Sequence, residues 1–321
     1  MTGTLSIERV PLGASPQLIP RVALGCGNFG GVGSAPAFFG QGLSEDQALA
    51  LMDAAWERGL THFDTADAYG GGRSETAIGR WIASRGVRPT ITTKTYNPMS
   101  FDGDHGLAPE RVGRQLACSL ERLGVDRVEL FLAHEFDPEV PLAESLAGFA
   151  SLQADGLIGA YGVSNFTAWQ LESALAAGSP VAVQNSCSLL EQGDFADVVP
   201  LCSRRGVAYL AFSPLAGGWL TGKYRRGRPY PEGSRMTQRP EPYAELAARE
   251  RTFEALEALE SFASERGMSI AGAALAWLLA SPGVSQVVVG PARPEHLEPV
   301  REALETPLSA DEARTLGAVL S

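Results

Sequence analysis

A chain of 321 residues, 45% of them hydrophobic, has enough apolar material for a sizeable core and is long enough for two average domains or one large barrel. Its 37 acidic against 26 basic side chains give a formal charge of -11, which argues against a general affinity for nucleic acid or anionic membrane and leaves at most a local basic pocket for phosphate. Residues 1–12 lack a basic segment followed by an apolar one, and the longest apolar run, 270–280, is too short for a bilayer, so the reading is a soluble cytoplasmic protein whose partner is a small molecule.

Cys26, Cys118, Cys187 and Cys202 are scattered without a CxxC pair, which suits buried thiols in a reducing compartment. His62, His105, His134 and His296 lack ligand spacing, so no metal is expected. Oligomeric state is left open.

In chain order, strand-like runs at 21–25, 61–64, 90–94, 128–133, 158–163, 181–184, 208–211 and 286–289 alternate with helical periodicity at 44–58, 74–84, 109–123, 142–155, 168–176, 195–203, 250–266 and 270–280, and 294–303. Ser44-Glu45-Asp46-Gln47 fits a capping box, and Gly59 and Gly124 mark helix exits. Strict β/α alternation over this length predicts a single-domain (β/α)8 barrel spanning 1–321. The irregular stretch is 222–243, rich in Arg, Pro and Gly, and it is read as a strap over the barrel mouth.

Gly25-Cys26-Gly27-Asn28-Phe29-Gly30 matches G-x-G-x-x-G after a strand. The dinucleotide fingerprint of an open sheet needs a helix opening at those glycines and an acid about 20 residues on. Here a loop runs on to the cap at Ser44 and the next strand-end acid is Asp64, so the glycines are read as letting a loop approach a ligand.

Asp64, Lys94 and His134 each fall at the end of a predicted strand, with Tyr69 in the loop after Asp64. In an eight-fold barrel these ends share the C-terminal rim, where barrel active sites lie. A lysine ammonium favours a nearby phenolate and so brings a tyrosine proton toward reach of neutral pH, while an aspartate compensates a buried lysine. A histidine there can donate to a substrate oxygen. Any one of these is more simply a turn cap or a core residue; four on successive strand ends point to acid-base chemistry.

On "FDTADAYG" (63–70), Thr92-Thr93-Lys94, "LFLAH" (130–134), "GVSNF" (162–166), "VQN" (183–185), "FSPLAGGWLTGKY" (212–224) and "VVVG" (287–290), the sequence resembles the aldo-keto reductase superfamily over nearly its whole length. The resemblance implies a barrel that binds extended NADPH or NADP, with NAD possible, and transfers a hydride between nicotinamide and a carbonyl or alcohol carbon. It implies Tyr69 as general acid-base with Asp64, Lys94 and His134. Ser164, Asn165 and Gln184 would hold the nicotinamide carboxamide, and Phe212 would stack on its ring. Ser213, Leu215, Gly217, Gly222 and Lys223 would line the pyrophosphate, with Gly27, Asn28, Phe29, Gly290 and Arg293 completing the cofactor site.

The adenosine end departs from the family's pattern, since Pro299-Val300 stands where a Glu-Asn pair is expected. Arg293 remains to read a 2′-phosphate. Phe29, Phe38, Phe39, Tyr96 and Phe136 are expected at the rim as an apolar or sugar-stacking pocket. Without a long flap after the helix at 294–303, that pocket would be open to sugars, small aldehydes or bulky ketones. The rival expectations are a sugar dehydrogenase working oxidatively and a nucleotide-sensing regulatory subunit with negligible turnover. A short-chain dehydrogenase is disfavoured, because no tyrosine is followed by lysine four positions later.

Overall fold

A computed structural model describes residues 4–320, without the side chains of Val319 and Leu320. A hairpin, β1 (Arg9–Pro11) and β2 (Leu18–Pro20), precedes the barrel strands β3 (Val22–Gly25), β4 (His62–Asp64), β5 (Thr90–Thr95), β6 (Val128–Ala133), β7 (Ile158–Ser164), β8 (Ala182–Ser186), β9 (Ala208–Phe212) and β10 (Val284–Val289). The eight run parallel and close in the order β10-β3-β4-β5-β6-β7-β8-β9. This is a (β/α)8 barrel.

The helices are α1 (Glu45–Glu57), α2 (Arg73–Arg85), α3 (Pro109–Leu123), α4 (Leu142–Ala154), α5 (Ala168–Ala177), α6 (Val198–Arg205), α7 (Arg235–Gln238), α8 (Ala244–Ala248), α9 (Glu250–Glu265), α10 (Ile270–Ala280), α11 (Glu298–Glu305) and α12 (Ala310–Leu320). At the start of α1, Gln47 N–H donates to Ser44 Oγ at 3.3 Å while Ser44 N–H donates to Gln47 Oε1 at 2.9 Å. Thr167 and Gln170 form the same box at the start of α5. Gly124 leaves α3 in the left-handed region (φ 65°), where a Cβ would be costly.

Two parts of the chain depart from the sequence reading. Residues 222–243 contain α7 and a 3₁₀ turn, Glu241–Tyr243, and α12 is a further helix after 294–303, which was read as the last one. Helix α12 packs inward, with Ala313 and Leu316 buried and the Ala313 carbonyl accepting from Trp277 Nε1 at 3.0 Å. None of the described helices is long and apolar enough to cross a membrane. All four cysteines are free thiols.

The hairpin closes the N-terminal mouth. Leu12 and Ile19 are buried against Leu130, Leu132, Ala160, Ala182, Ala208 and Leu210 inside the barrel. Each buried leucine or isoleucine side chain among them contributes about 1.5–3 kcal/mol over exposure. Beside them, Gln286 Nε2 donates to the Pro20 carbonyl at 2.6 Å and contacts His62 Nδ1 at 2.9 Å. Burial holds the His62 imidazole down to about 3, so the ring is neutral, accepts from Gln286, and donates from Nε2 to Thr92 Oγ1 at 2.8 Å. Gln286 Oε1 is left without a hydrogen-bond partner there.

Candidate active site

Strand side chains alternate between the two faces of the sheet, so the interior apolar set fixes which later residues also point inward. Leu130 and Leu132 on β6 are interior, which puts His134 on the same side two positions on; the same step from Ala182 reaches Gln184, and from Leu210 it reaches Phe212. Pairing of Lys94 with Leu132 aligns Lys94 with that set, and Asp64 pairs with Thr92. Strand period and barrel closure thus converge residues from five strands.

Lys94 is fully buried, and its ammonium donates to Asp64 Oδ1 at 2.5 Å, to the Thr65 carbonyl at 2.8 Å and to Tyr69 Oη at 3.4 Å. All three ammonium hydrogens therefore have acceptors. The second Asp64 oxygen accepts from Gln184 Nε2 at 2.7 Å. Burial works against the lysine charge, but Asp64 and Tyr69 outweigh it and raise the Lys94 pKa. Lys94 is held as a cation.

Tyr69 differs from the sequence expectation. Burial raises its phenol above the ordinary range, and the opposing pull of Lys94 does not overcome it. The resting phenol is thus fully protonated, in the acid form. The Tyr69 ring stands edge-on to His134 at 5.6 Å, and burial, followed by the Lys94 charge, takes the His134 pKa well below its usual value. His134 is neutral, with its buried Nδ1 unpartnered.

The glycine loop packs directly on this array. A Cβ on Gly27 would meet the Tyr69 ring at 3.5 Å, and one on Gly31 would strike Gly70 Cα at 2.7 Å. Gly31 is thus required by two backbones crossing closely. Phe29, expected to line the substrate pocket, is fully buried in the core and offers no face to the rim.

Past β9 the chain makes a tight turn through left-handed residues: Ser213 (φ 53°), Ala216 (φ 45°), Gly217 (φ 61°), Gly218 (φ 97°) and Gly222 (φ 76°). Left-handed backbone at non-glycine residues costs of order 1–3 kcal/mol each and clusters at ligand clamps, while successive N–H groups in such turns form anion-binding concavities. Trp219, which sequence reasoning did not single out, anchors the turn against Tyr224 and Phe253, with ring centroids at 4.9 and 5.7 Å. Lys223 lies over the turn, its Nζ 2.4 Å from where a Gly218 Cβ would be. Tyr243 covers Gly217 in the same way, and Arg239 reaches across to stack on Phe38 at 5.0 Å.

Ser164 is buried at the end of β7, and Asn165 follows with φ 59°. The adenosine-end candidates lie beyond β10. Arg293 is exposed, with Nη2 3.3 Å from His296 Nε2, and His296 is held low by burial, then by Arg293 and Lys223. Asn28 Nδ2 donates to the Pro291 carbonyl at 2.9 Å while its buried Oδ1 is unpartnered, and a Cβ on Gly290 would meet only Gly25 O, at 4.0 Å. Val300 is buried in the core, so its position presents no polar group to a ligand.

At the rim, Phe136 stands edge-on to Phe166 at 5.5 Å and packs on Trp169 at 6.4 Å; Tyr96 packs on His105 at 5.9 Å. Trp169 is 69% exposed and was not anticipated, because one aromatic at the start of a helical segment carries no sequence signal. Among the described residues no group of His, Cys, Asp and Glu is set to hold a metal.

The sequence model described as the Aldo/keto reductase family matches residues 21–321. The chain belongs to that family. As an aldo/keto reductase it is an oxidoreductase, and its family generally uses NAD(P)H. It is 32% identical over 328 residues to "Uncharacterized oxidoreductase YrpG" of Bacillus subtilis (strain 168), covering 97% of this chain and 95% of that one. It is also 32% identical over 283 residues to "Putative voltage-gated potassium channel subunit beta" of Schizosaccharomyces pombe, covering 83% and 81%. Among solved structures, the glycerol dehydrogenase AKR11B4 from Gluconobacter oxydans superposes with a TM-score of 0.81 at 25% identity, covering 97% of this chain and 94% of that one.

The structure's own groups fit an extended dinucleotide. The left-handed turn under Lys223 suits a pyrophosphate, the unpartnered Asn28 Oδ1 and the open space at Gly290 lie beside β10, and His134 Nδ1 is without a partner at the rim.

Proposed function

We propose that this aldo/keto reductase is an NADP(H)-dependent oxidoreductase acting on an aldehyde, ketone or sugar carbon, with Tyr69 as the general acid-base. The observation that carries the reading is the Lys94 ammonium, bonded at once to Asp64 Oδ1 and to Tyr69 Oη. A nicotinamide held here would supply or accept the hydride. Tyr69 protonates the developing alkoxide in reduction, and the fixed charge of Lys94 stabilises the phenolate left behind. Asp64 keeps Lys94 charged and in place. Neutral His134 orients the carbonyl oxygen by donating a hydrogen bond to it.

Ser164, Asn165 and Gln184 would hold the carboxamide and Phe212 would face the ring. The turn at Ser213, Leu215, Gly217 and Gly222 would receive the pyrophosphate with Lys223. Segment 222–243 would act as the strap, given that Tyr243 and Arg239 lie over Gly217 and Phe38. Arg293 would read a 2′-phosphate, Phe38, Tyr96 and Phe136 would border the substrate, and NAD use stays within the reading because position 300 presents no polar group. Such a protein would act in the cytoplasm on small molecules.

Tyr69→Phe tests the reading. Turnover with a carbonyl panel should fall about 10²–10⁴-fold while NADPH affinity by fluorescence titration stays within about twofold. A variant that keeps its activity removes Tyr69 from the role. The likeness to the channel subunit favours a second reading, a nucleotide sensor with negligible turnover. Wild-type protein that binds NADPH but oxidises it with no carbonyl compound in a broad panel would favour the sensor.

A further inference from the structure

Asn165 leaves β7 in a left-handed conformation, and its backbone N–H donates to the Gln184 carbonyl at 3.1 Å. Its side-chain nitrogen carries two hydrogens, and both are engaged by the loop that follows β6. Nδ2 lies 2.9 Å from the His134 carbonyl and 3.0 Å from Glu135 Oε1. A primary amide offers two donors on nitrogen and two lone pairs on oxygen. With the nitrogen fixed toward β6, Asn165 presents only Oδ1 elsewhere, so toward any ligand it is an acceptor.

Glu135 makes that orientation one-sided. The His134 carbonyl alone biases the amide by one neutral hydrogen bond; half-buried Glu135, whose carboxyl is pushed up to about 7 by burial, adds a second, which is charge-assisted and roughly twice as strong once the carboxyl ionises above that value. On the other side of the site, Gln184 Nε2 is fixed as a donor by Asp64 Oδ2 at 2.7 Å. Gln184 spends one of its two Nε2 hydrogens on Asp64 and keeps the other and its oxygen, whereas Asn165 has no side-chain N–H left for a ligand. A ligand group that offers an N–H donor, such as the –NH₂ of a carboxamide, matches the Asn165 oxygen, and Gln184 can serve either side of it.

The geometry points to Glu135 as a positioning residue that locks Asn165 as an acceptor and thereby makes the site select the –NH₂ of a carboxamide. This rests on the proposal that a nicotinamide occupies the site. Nothing in the "LFLAH" or "GVSNF" stretches marks Glu135, which lies between them in sequence and meets Asn165 only in the folded barrel.

The test compares the affinity of purified protein for NADPH and for its reduced 3-acetylpyridine analogue, in which a methyl replaces the –NH₂. Wild type should prefer NADPH by about 3–10-fold, the value of one hydrogen bond. Glu135→Ala should lower that ratio by about threefold or more, through a better-tolerated analogue. Glu135→Gln, whose side-chain oxygen still accepts from Asn165, should retain most of it. A purely structural role would weaken both ligands equally and leave the ratio untouched, which overturns the proposal, as does a wild type that binds NADPH without preference. A wild type that binds neither ligand overturns the nucleotide reading on which the lock depends.

Discussion

Gln184 donates its side-chain amide to Asp64 Oδ2 at 2.7 Å, across the barrel from β8 to β4, while Lys94 occupies the other Asp64 oxygen. The carboxylate is thus held between a neutral donor and a buried cation. Removing its charge strands the cation: Asp64→Asn should destabilise the fold by about 3–5 kcal/mol, the cost of an unpaired buried charge. Asp64→Asn combined with Lys94→Met should recover much of that loss. Urea unfolding of wild type, single and double variants measures both steps. A double variant no more stable than Asp64→Asn would mean that the charge pair is not what holds these strand ends together.

The protonation states at the rim fix the shape of the activity profile. His134 is held neutral by burial and Lys94, and Tyr69 keeps its proton because burial raises its pKa. Reduction needs the phenol protonated, so kcat/KM should stay level from about pH 6 to about pH 9 and fall only as Tyr69 ionises above the ordinary phenol range near 10. An inflection near pH 6.5 that disappears in His134→Gln would show instead that the histidine titrates in place.

Much of this site was legible in the sequence because the barrel's period did the work. Leu130 and Leu132 alternate inward on β6 and His134 continues the alternation just past its end, so a reader who finds the apolar pair has located the histidine. Local chemistry was legible too, as at the Ser44–Gln47 capping box. What failed depended on contacts between segments far apart in sequence. Phe29 sits in a glycine-rich loop and reads as rim; that loop crosses Gly70 closely and the Phe29 ring is buried in the core, a packing that local sequence does not show. The Tyr69 proton was misjudged because a sequence shows that Lys94 is near but not how dry the surroundings are. The hairpin β1–β2 has strands too short to show a period.

Asp67, the second acid of "FDTADAYG", is fully buried, accepts from Thr95 Oγ1 at 2.6 Å and has an unpartnered Oδ1. Burial pushes its carboxyl up to about 7. Between about pH 4 and that value the folded state keeps a proton that the unfolded chain releases, so this group's contribution to stability is present in acid and lost as pH rises. The full loss amounts to about 4 kcal/mol. Asp67→Asn cannot ionise and should be the more stable protein at about pH 8, with the difference closing near pH 4. Urea midpoints at the two pH values check it. A variant destabilised equally at both would mean that Asp67 is ionised in the fold.

Gly218 offers a way to perturb the phosphate end alone. It sits at φ 97°, and a Cβ there would fall 2.4 Å from Lys223 Nζ, the movable end of a flexible side chain. Gly218→Ala should therefore displace the Lys223 ammonium and strain one turn while leaving the barrel and the Tyr69–Lys94 pair intact. The pyrophosphate is common to both nucleotides, whereas the 2′-phosphate belongs to one. Affinity for NADPH and NADH should thus fall by a similar factor, about tenfold for a lost charge-assisted contact plus strain. Arg293→Ala should instead weaken NADPH and spare NADH, since the guanidinium lies beyond β10 with His296. Parallel fluorescence titrations of the two variants separate these roles. If Gly218→Ala selectively weakened NADPH, Lys223 would be reading the 2′-phosphate and not the bridge.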